Sequence, residues 1–179
     1  MSIGLKRGTV YLEDHQSEWE QNAVDTISDI QLALNGIDAD IRHIGSTAVK
    51  TIKAKPIIDI AIAVNDLDEV LARNNALAEY GIIFRFDERP ENLLYVKGNF
   101  TEDTRTHHIH VVLKNSDKWK NYICFTDYLN DNIQAAKEYE ALKLELQKKY
   151  GNDRVAYTDA KAELISRLTA EARKIYADR

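Results

Sequence analysis

The 179-residue chain is 44% hydrophobic and 30% charged, which suits a single domain over residues 1–179 with a real core and leaves little for a second. A net charge of −5 excludes a broad surface for extended nucleic acid, whose affinity comes from clustered Lys and Arg, although a local basic pocket fits. The lone Cys124 rules out an intramolecular disulfide and a thiolate zinc cluster; with no N-terminal apolar stretch and no segment fit to span a membrane, a reducing, cytoplasmic setting is expected.

In chain order, a short strand is expected at residues 9–12 and a helix over 18–34, where Trp19, Ala23, Ile27, Ile30 and Leu34 recur at helical spacing and Asn35-Gly36 provides the stop. Residues 37–44 read as a strand ending at the turn Gly45-Ser46-Thr47. Residues 57–64 follow Pro56, are rich in β-branched side chains and read as a buried strand interrupted by one carboxylate, Asp59. Asp66 is placed to cap a helix over 67–80 that ends at Gly81, and strands follow at 82–86 and 93–97.

After a polar loop, residues 106–114 alternate His107, Ile109, Val111 and Leu113 on one face with His108, His110, Val112 and Lys114 on the other. Ser116 is an expected N-cap, and three helices are predicted beyond it, with breaks at Asp131-Asn132 and Gly151-Asn152. Tyr139, Leu142 and Leu146, and later Leu164, Ile165, Leu168 and Ala172, form apolar stripes, so the charged faces of these helices are expected in solvent. The sheet-containing core thus covers about residues 8–115 and the helical part about 116–177.

The chemistry gathers around residues 43–64. A buried carboxylate without a partner is strongly disfavoured, so Asp59 should face a cleft, a cation or dense hydrogen bonding. Gly45, Ser46 and Thr47 form the kind of turn that receives an anion, because glycine permits close approach and amides at a helix start point at the ligand. His43, just before the turn, is placed to contact a phosphate or to orient the turn. Arg42, Lys53, Lys55, Arg89, Lys97 and Arg105 lie in or beside these segments, which favours a compact anion over a long polyanion.

The segments HIGSTAV, AKPIIDI, RTHHIHVV, FTDYL, EYEALK and YTDAKAELI, in that order between Val10 and about Ala172, resemble the GrpB family of small bacterial proteins. The resemblance implies an α/β (α+β) nucleotidyltransferase-like fold of the DNA polymerase β type, a mixed β-sheet with flanking helices and a helical C-terminal part. In that fold the turn after the first helix binds nucleotide phosphates, and carboxylates two residues apart on the next strand hold divalent metal between a triphosphate and the attacking hydroxyl. Asp59 supplies the first carboxylate here, but Ala61 stands where the second belongs. Lys50-Thr51 replaces the family's usual Pro-Gly, and Thr126 stands where relatives tend to have Arg, which removes one candidate anion ligand.

Three arrangements answer the missing acid. Asp59 with His108 and His110 makes a two-His, one-carboxylate set for a metal such as manganese or zinc; Glu88, Glu102 or Asp103 could complete a magnesium site from a loop; or no metal is held and Asp59 pairs with Lys55, Arg42 or a histidine. The expected function is binding of a nucleotide or phosphorylated small molecule through His43, Gly45, Ser46, Thr47, Lys55, Arg89, Lys97 and Arg105. Metal-dependent nucleotidyl transfer from a nucleoside triphosphate would then use Asp59 as the catalytic residue. The alternatives are a catalytically inactive binding or scaffold protein, and a metal-dependent hydrolase built on Asp59, His108 and His110.

Overall fold

The computed structural model describes residues 3–176. Its centre is a five-stranded mixed sheet made from β2 (Ala39–Ile44), β3 (Ile58–Val64), β4 (Ile83–Glu88), β5 (Asn92–Lys97) and β7 (His107–Leu113), in the order β2-β3-β7-β5-β4. β3 and β7 run parallel and the other neighbours antiparallel. Two short strands, β1 (Leu5–Lys6) and β6 (Thr104–Arg105), pair separately. The expected mixed sheet with flanking helices and a helical C-terminal part is therefore present.

Strand periodicity divides the sheet into two unlike faces. Ile58, Ile60, Ile62 and Val64 of β3, with Ile109 and Val111 of β7 and Leu93 and Tyr95 of β5, form one continuous core. That core is closed by α1 (Ser17–Ala33), α2 (Leu67–Leu71) and α3 (Asn74–Glu79). The intervening residues Asp59, Ala61 and Ala63 face the other way, where Ala61 packs with Ile44 and with Ile123 of α4 (Asp117–Asp131). β3 is covered on both faces, which is why it reads as a nearly unbroken apolar run.

Most expected elements are found, with three differences. Residues 9–12 form no ladder, only a single bridge from Glu13 to Ala54; Val10 packs with Leu146 and Tyr157, and the Leu12 amide donates to Gln147 Oε1 at 3.0 Å. Its alternating apolar residues mark burial against a helix rather than membership of a sheet. The predicted helix over 67–80 is split at Ala72 and Arg73, where residues that favour local hydrogen bonding follow and the Arg73 guanidinium donates to Asn35 O at 3.1 Å. Asp66 caps as expected, accepting from the Asp68 amide.

The third difference lies near the C-terminus. Ser116 caps α4 and Asn132 caps α5 (Ile133–Tyr150), as the sequence suggests, but the last predicted helix is two: α6 (Arg154–Asp159), capped by Asp153, and α7 (Ala162–Ile175). Tyr139, Leu168 and Ala172 join Val49, Ile52, Cys124 and Leu129 in a second core that docks the helices onto the loop after the Gly-Ser turn. Among the described residues no helix is long and apolar enough to cross a membrane.

Candidate functional site

Register builds the site. Ile44, the last residue of β2, lies opposite Asp59, and the parallel pairing of β3 with β7 puts His108 opposite Asp59 and His110 opposite Ala61. Gly45 therefore turns the chain right beside the carboxylate. Its φ of +73° belongs to the left-handed region, and a Cβ there would stand 2.8 Å from Asp59 Oδ2, so only glycine lets turn and acid approach so closely.

Two polar contacts hold the turn. The Gly45 amide donates to Thr126 Oγ1 on α4 at 3.1 Å, and His43 Nε2 lies 2.9 Å from Thr47 Oγ1. Thr126 is thus an anchor for the turn, a role that its reading as a lost anion ligand overlooked. Burial lowers the His43 pKa to about 4 against the opposing pull of Asp59 and Glu20, so a neutral imidazole performs the anchoring at pH 7.

Asp59 is the end of a hydrogen-bonded chain. Arg154 Nη2, from α6, lies 3.1 Å from His108 Nε2; a guanidinium can only donate, so Nε2 accepts and the ring proton resides on Nδ1. His108 Nδ1 then donates to Asp59 Oδ1 at 3.3 Å. Burial pushes the Asp59 pKa up, but the His108 hydrogen bond and the proximity of His108, His110 and Lys55 outweigh it and hold the group at about 2. Its side chain is still 33% exposed, because it borders open space rather than packed core.

That space is a cavity of about 110 Å³ lined by Gly45, Ser46 and Thr47, by Asp59 and His108, and by the lysines Lys55, Lys143 and Lys161, with Tyr139 and Tyr157 as walls. Lys143 is only 2% exposed; it donates to Lys53 O at 2.5 Å and lies over the Tyr139 ring at 4.7 Å. Lys161 and Lys55 stand over the Tyr157 ring at 4.6 and 5.5 Å. None of the three forms an ion pair among the described residues, and the fully buried Tyr157 hydroxyl has no hydrogen-bond partner there.

Burial and the crowding of cations in a partly enclosed hollow lower their pKa values below the ordinary lysine value. Burial first, then repulsion from Lys161 and Arg154, lowers the Lys55 pKa to about 7 despite Asp59. Lys143 falls to about 7 through burial and Lys161, against Glu140. Lys161 falls to about 8 through burial, opposed by Asp59 and reinforced by Arg154. Buried polar groups ordinarily find partners, and among the residues lining this hollow Asp59 is the one carboxylate set against the three lysines.

The expected metal set does not fit this geometry. Both ring nitrogens of His108 are engaged, and its lone pair faces Arg154 rather than the space beside Asp59. His110 packs on Tyr122 with ring centroids 5.3 Å apart, and burial lowers its pKa to about 4. Among the described residues no group of three or more His, Cys, Asp or Glu is placed to hold a metal ion, and none of Glu88, Glu102 and Asp103 lines the cavity beside Asp59. A divalent ion would also meet the three lysines.

Several predicted phosphate ligands lie elsewhere. Arg89 is paired with Asp87 and Asp68 at 2.8 Å each, Lys97 with Asp29 at 3.2 Å, and the buried Arg105 with Asp103 at 3.2 Å under the Phe100 ring. Arg42 pairs with Asp127, Lys50 with Glu20 and Lys53 with Asp14. Of the basic residues picked out near the turn, Lys55 alone lines the cavity. The other cations come from the C-terminal helices, whose charge looked solvated. Lys143 carried a readable signal, since it falls within the Tyr139-Leu142-Leu146 stripe, four residues after Tyr139.

On its other side Asp59 borders a larger cleft, about 820 Å³, between α4 and α7. Gly45, Asp59 and His110 form part of its floor and Tyr122, Phe125 and Ile165 part of its walls.

The whole chain has close counterparts. It is 35% identical over 172 residues to the glutamate-rich protein GrpB of Alkalihalophilus pseudofirmus, covering 94% of this chain and 99% of that one. The crystal structure of GrpB from Enterococcus faecalis superposes with a TM-score of 0.86 at 25% identity, over 94% of this chain and all (100%) of the other. A fainter likeness, at TM-score 0.49 and 15% identity over 83% of this chain and 47% of the other, is to a cytoplasmic RNA terminal U-transferase and is too slight to bear on the site. The GrpB protein family's sequence model matches residues 9–171, which takes in the turn, Asp59, His108 and all three cavity lysines. With the family model matching residues 9–171 and the relatives matching over 94% of its length, the chain belongs to the GrpB family.

Proposed function

We propose that this protein binds a phosphate-bearing small molecule, with the phosphate seated in the lysine-lined cavity against the Gly45-Ser46-Thr47 turn. One observation carries the reading: the buried Lys143 and the half-buried Lys55 and Lys161, from separate segments, converge on a turn where the single lining carboxylate is Asp59. With all three protonated, two positive charges remain uncompensated by lining residues, which suits a phosphate dianion better than a carboxylate. The Tyr157 hydroxyl, otherwise unsatisfied among the described residues, adds a donor.

Lys143 and Lys55 supply charge and Ser46 and Thr47 supply backbone amides at the start of a 3-10 turn, where no carbonyl lies one turn back to receive them. Asp59, held by His108 and Arg154, limits the repulsion among the lysines and fixes the edge of the hollow. Ala61 is fully buried against Ile44 and Ile123, so no second acid stands ready for the metal-dependent transfer that the resemblance implies. The site is therefore read as a binding site that positions a phosphate.

Titration calorimetry with inorganic phosphate and with sulfate tests this. The wild type should bind both, and Lys143→Met and Lys161→Met should each weaken binding at least about tenfold while remaining folded. Absence of heat and of thermal stabilisation with either anion removes the reading.

A further inference from the structure

The cavity and the α4–α7 cleft share Gly45 and Asp59 in their linings, so a ligand held in one can extend into the other past the carboxylate. Their sizes differ in kind. About 110 Å³ is room for roughly four waters, enough for one phosphoryl group and not for a chain of three with their solvent. About 820 Å³ lies within the range of small-molecule sites, and this compartment has aromatic and aliphatic walls.

Between them stands an acceptor with one free oxygen. Asp59 Oδ1 receives His108, whereas Oδ2 is turned toward Gly45 and has no donor among the described residues. A linker carrying hydroxyl groups would satisfy it. The cleft-facing residues of α7 include Ala162, Ser166 and Ala170, each one helical turn apart and exposed, which leaves that wall open to a flat body. The lysine and arginine side chains at the cleft are already engaged: Arg173 with Asp117 and Asn121, and Lys118 with Glu91 and Asn92. The cleft thus offers contact area rather than a second phosphate site.

We infer that the ligand is a monophosphate ester of a hydroxyl-bearing linker joined to a flat aromatic ring that stacks through its face, the chemistry of a nucleoside monophosphate, with the ring in the α4–α7 cleft. This deepens the proposed function and rests on it. The phosphate occupies the lysine hollow, a linker hydroxyl donates to Asp59 Oδ2, and the ring lies between Tyr122 or Phe125 on α4 and Ile165 on α7.

The test compares inorganic phosphate, ribose 5-phosphate, a purine and a pyrimidine nucleoside monophosphate, and the matching triphosphates, by calorimetry on the full chain without added metal. At least one monophosphate should bind at least about tenfold more tightly than ribose 5-phosphate, and more tightly than its own triphosphate. Ser166→Trp, on an exposed cleft wall, should erase the gain from the ring while leaving phosphate binding unchanged. If phosphate binds but the ring adds nothing, if the triphosphate is preferred, or if Ser166→Trp leaves the ring's gain intact, the inference falls while the anion site stands. If no phosphate binds at all, both fall.

Discussion

The two faces of one sheet are built from alternate residues of the same strands, yet they obey opposite rules. Behind the sheet, Ile58, Ile60, Ile62 and Val64 meet α1, α2 and α3 in an apolar core with no charge among its members. In front, Asp59 and His108 open onto three lysines and an arginine delivered by the loop before β3 and by α5, α6 and their junction with α7. The first face is complete as it stands. The second gathers like charges in a partly enclosed hollow, an arrangement that the proposed anion would relieve.

That contrast can be broken experimentally, beginning with the apolar face. Ile60→Ala removes a fully buried side chain and should cost about 2–5 kcal/mol of unfolding free energy, read by denaturant titration, with phosphate affinity unchanged in the folded fraction. On the polar face, Gly45→Ala should cost roughly 1–3 kcal/mol, because it combines a left-handed backbone with a Cβ pressed on Asp59 Oδ2, and it should also weaken phosphate binding. Lys143→Met should have the opposite sign, raising the stability of the ligand-free protein by about 1–3 kcal/mol while lowering anion affinity. A loss of stability in that variant would mean that the ammonium serves the fold rather than a ligand.

pH sharpens the same comparison. Lys55 and Lys143 at about 7 and Lys161 at about 8 all lie below their ordinary value, so between those values and the unfolded lysine range the unfolded chain binds more protons. Stability of the ligand-free protein from these groups should therefore rise with pH from about 7 toward 10. Saturating sulfate, whose charge is constant over this range, should flatten that slope, and its own affinity should fall by more than about tenfold between pH 6 and pH 9. In acid, His43, His107 and His110 at about 4 make the fold lose stability as pH drops below about 6.5, and Asp59 adds a further loss as pH falls from about 4 through 2. The smallest effect belongs to Arg89→Ala, whose surface pairs lie away from the cavity, and it should leave both melting temperature and anion binding unaltered within error.

The local grammar of the chain accounts for the sheet and much of the site's frame. Alternation in residues 106–114, the β-branched run after Pro56 and the caps at Asp66 and Ser116 each follow from short-range periodicity or hydrogen bonding, and they reappear as β7, β3, α2 and α4. The same patterns put Asp59 and His108 on strands and Gly45 on a turn. They misplace residues 9–12 because alternation describes burial and says nothing of what does the burying, here α5.

Charge was harder to read because a lysine's own neighbours in sequence do not reveal whether its tip reaches water. Arg89, Lys97 and Arg105, near the motifs in sequence, found acidic partners outside the cavity; Lys143 and Lys161, about 100 residues beyond the turn, reached it through the docking of α5 and α6. The sequence by itself determined most of the strands and helices, the alternation of faces in β7, and that a Gly-Ser turn precedes the strand carrying Asp59. Only the tertiary structure decided that His108 spends both nitrogens on Arg154 and Asp59, and that cations from distant helices meet over the turn. The reason is physical: periodicity acts over a few residues, whereas the field inside a cavity is summed over every charge that packing brings there.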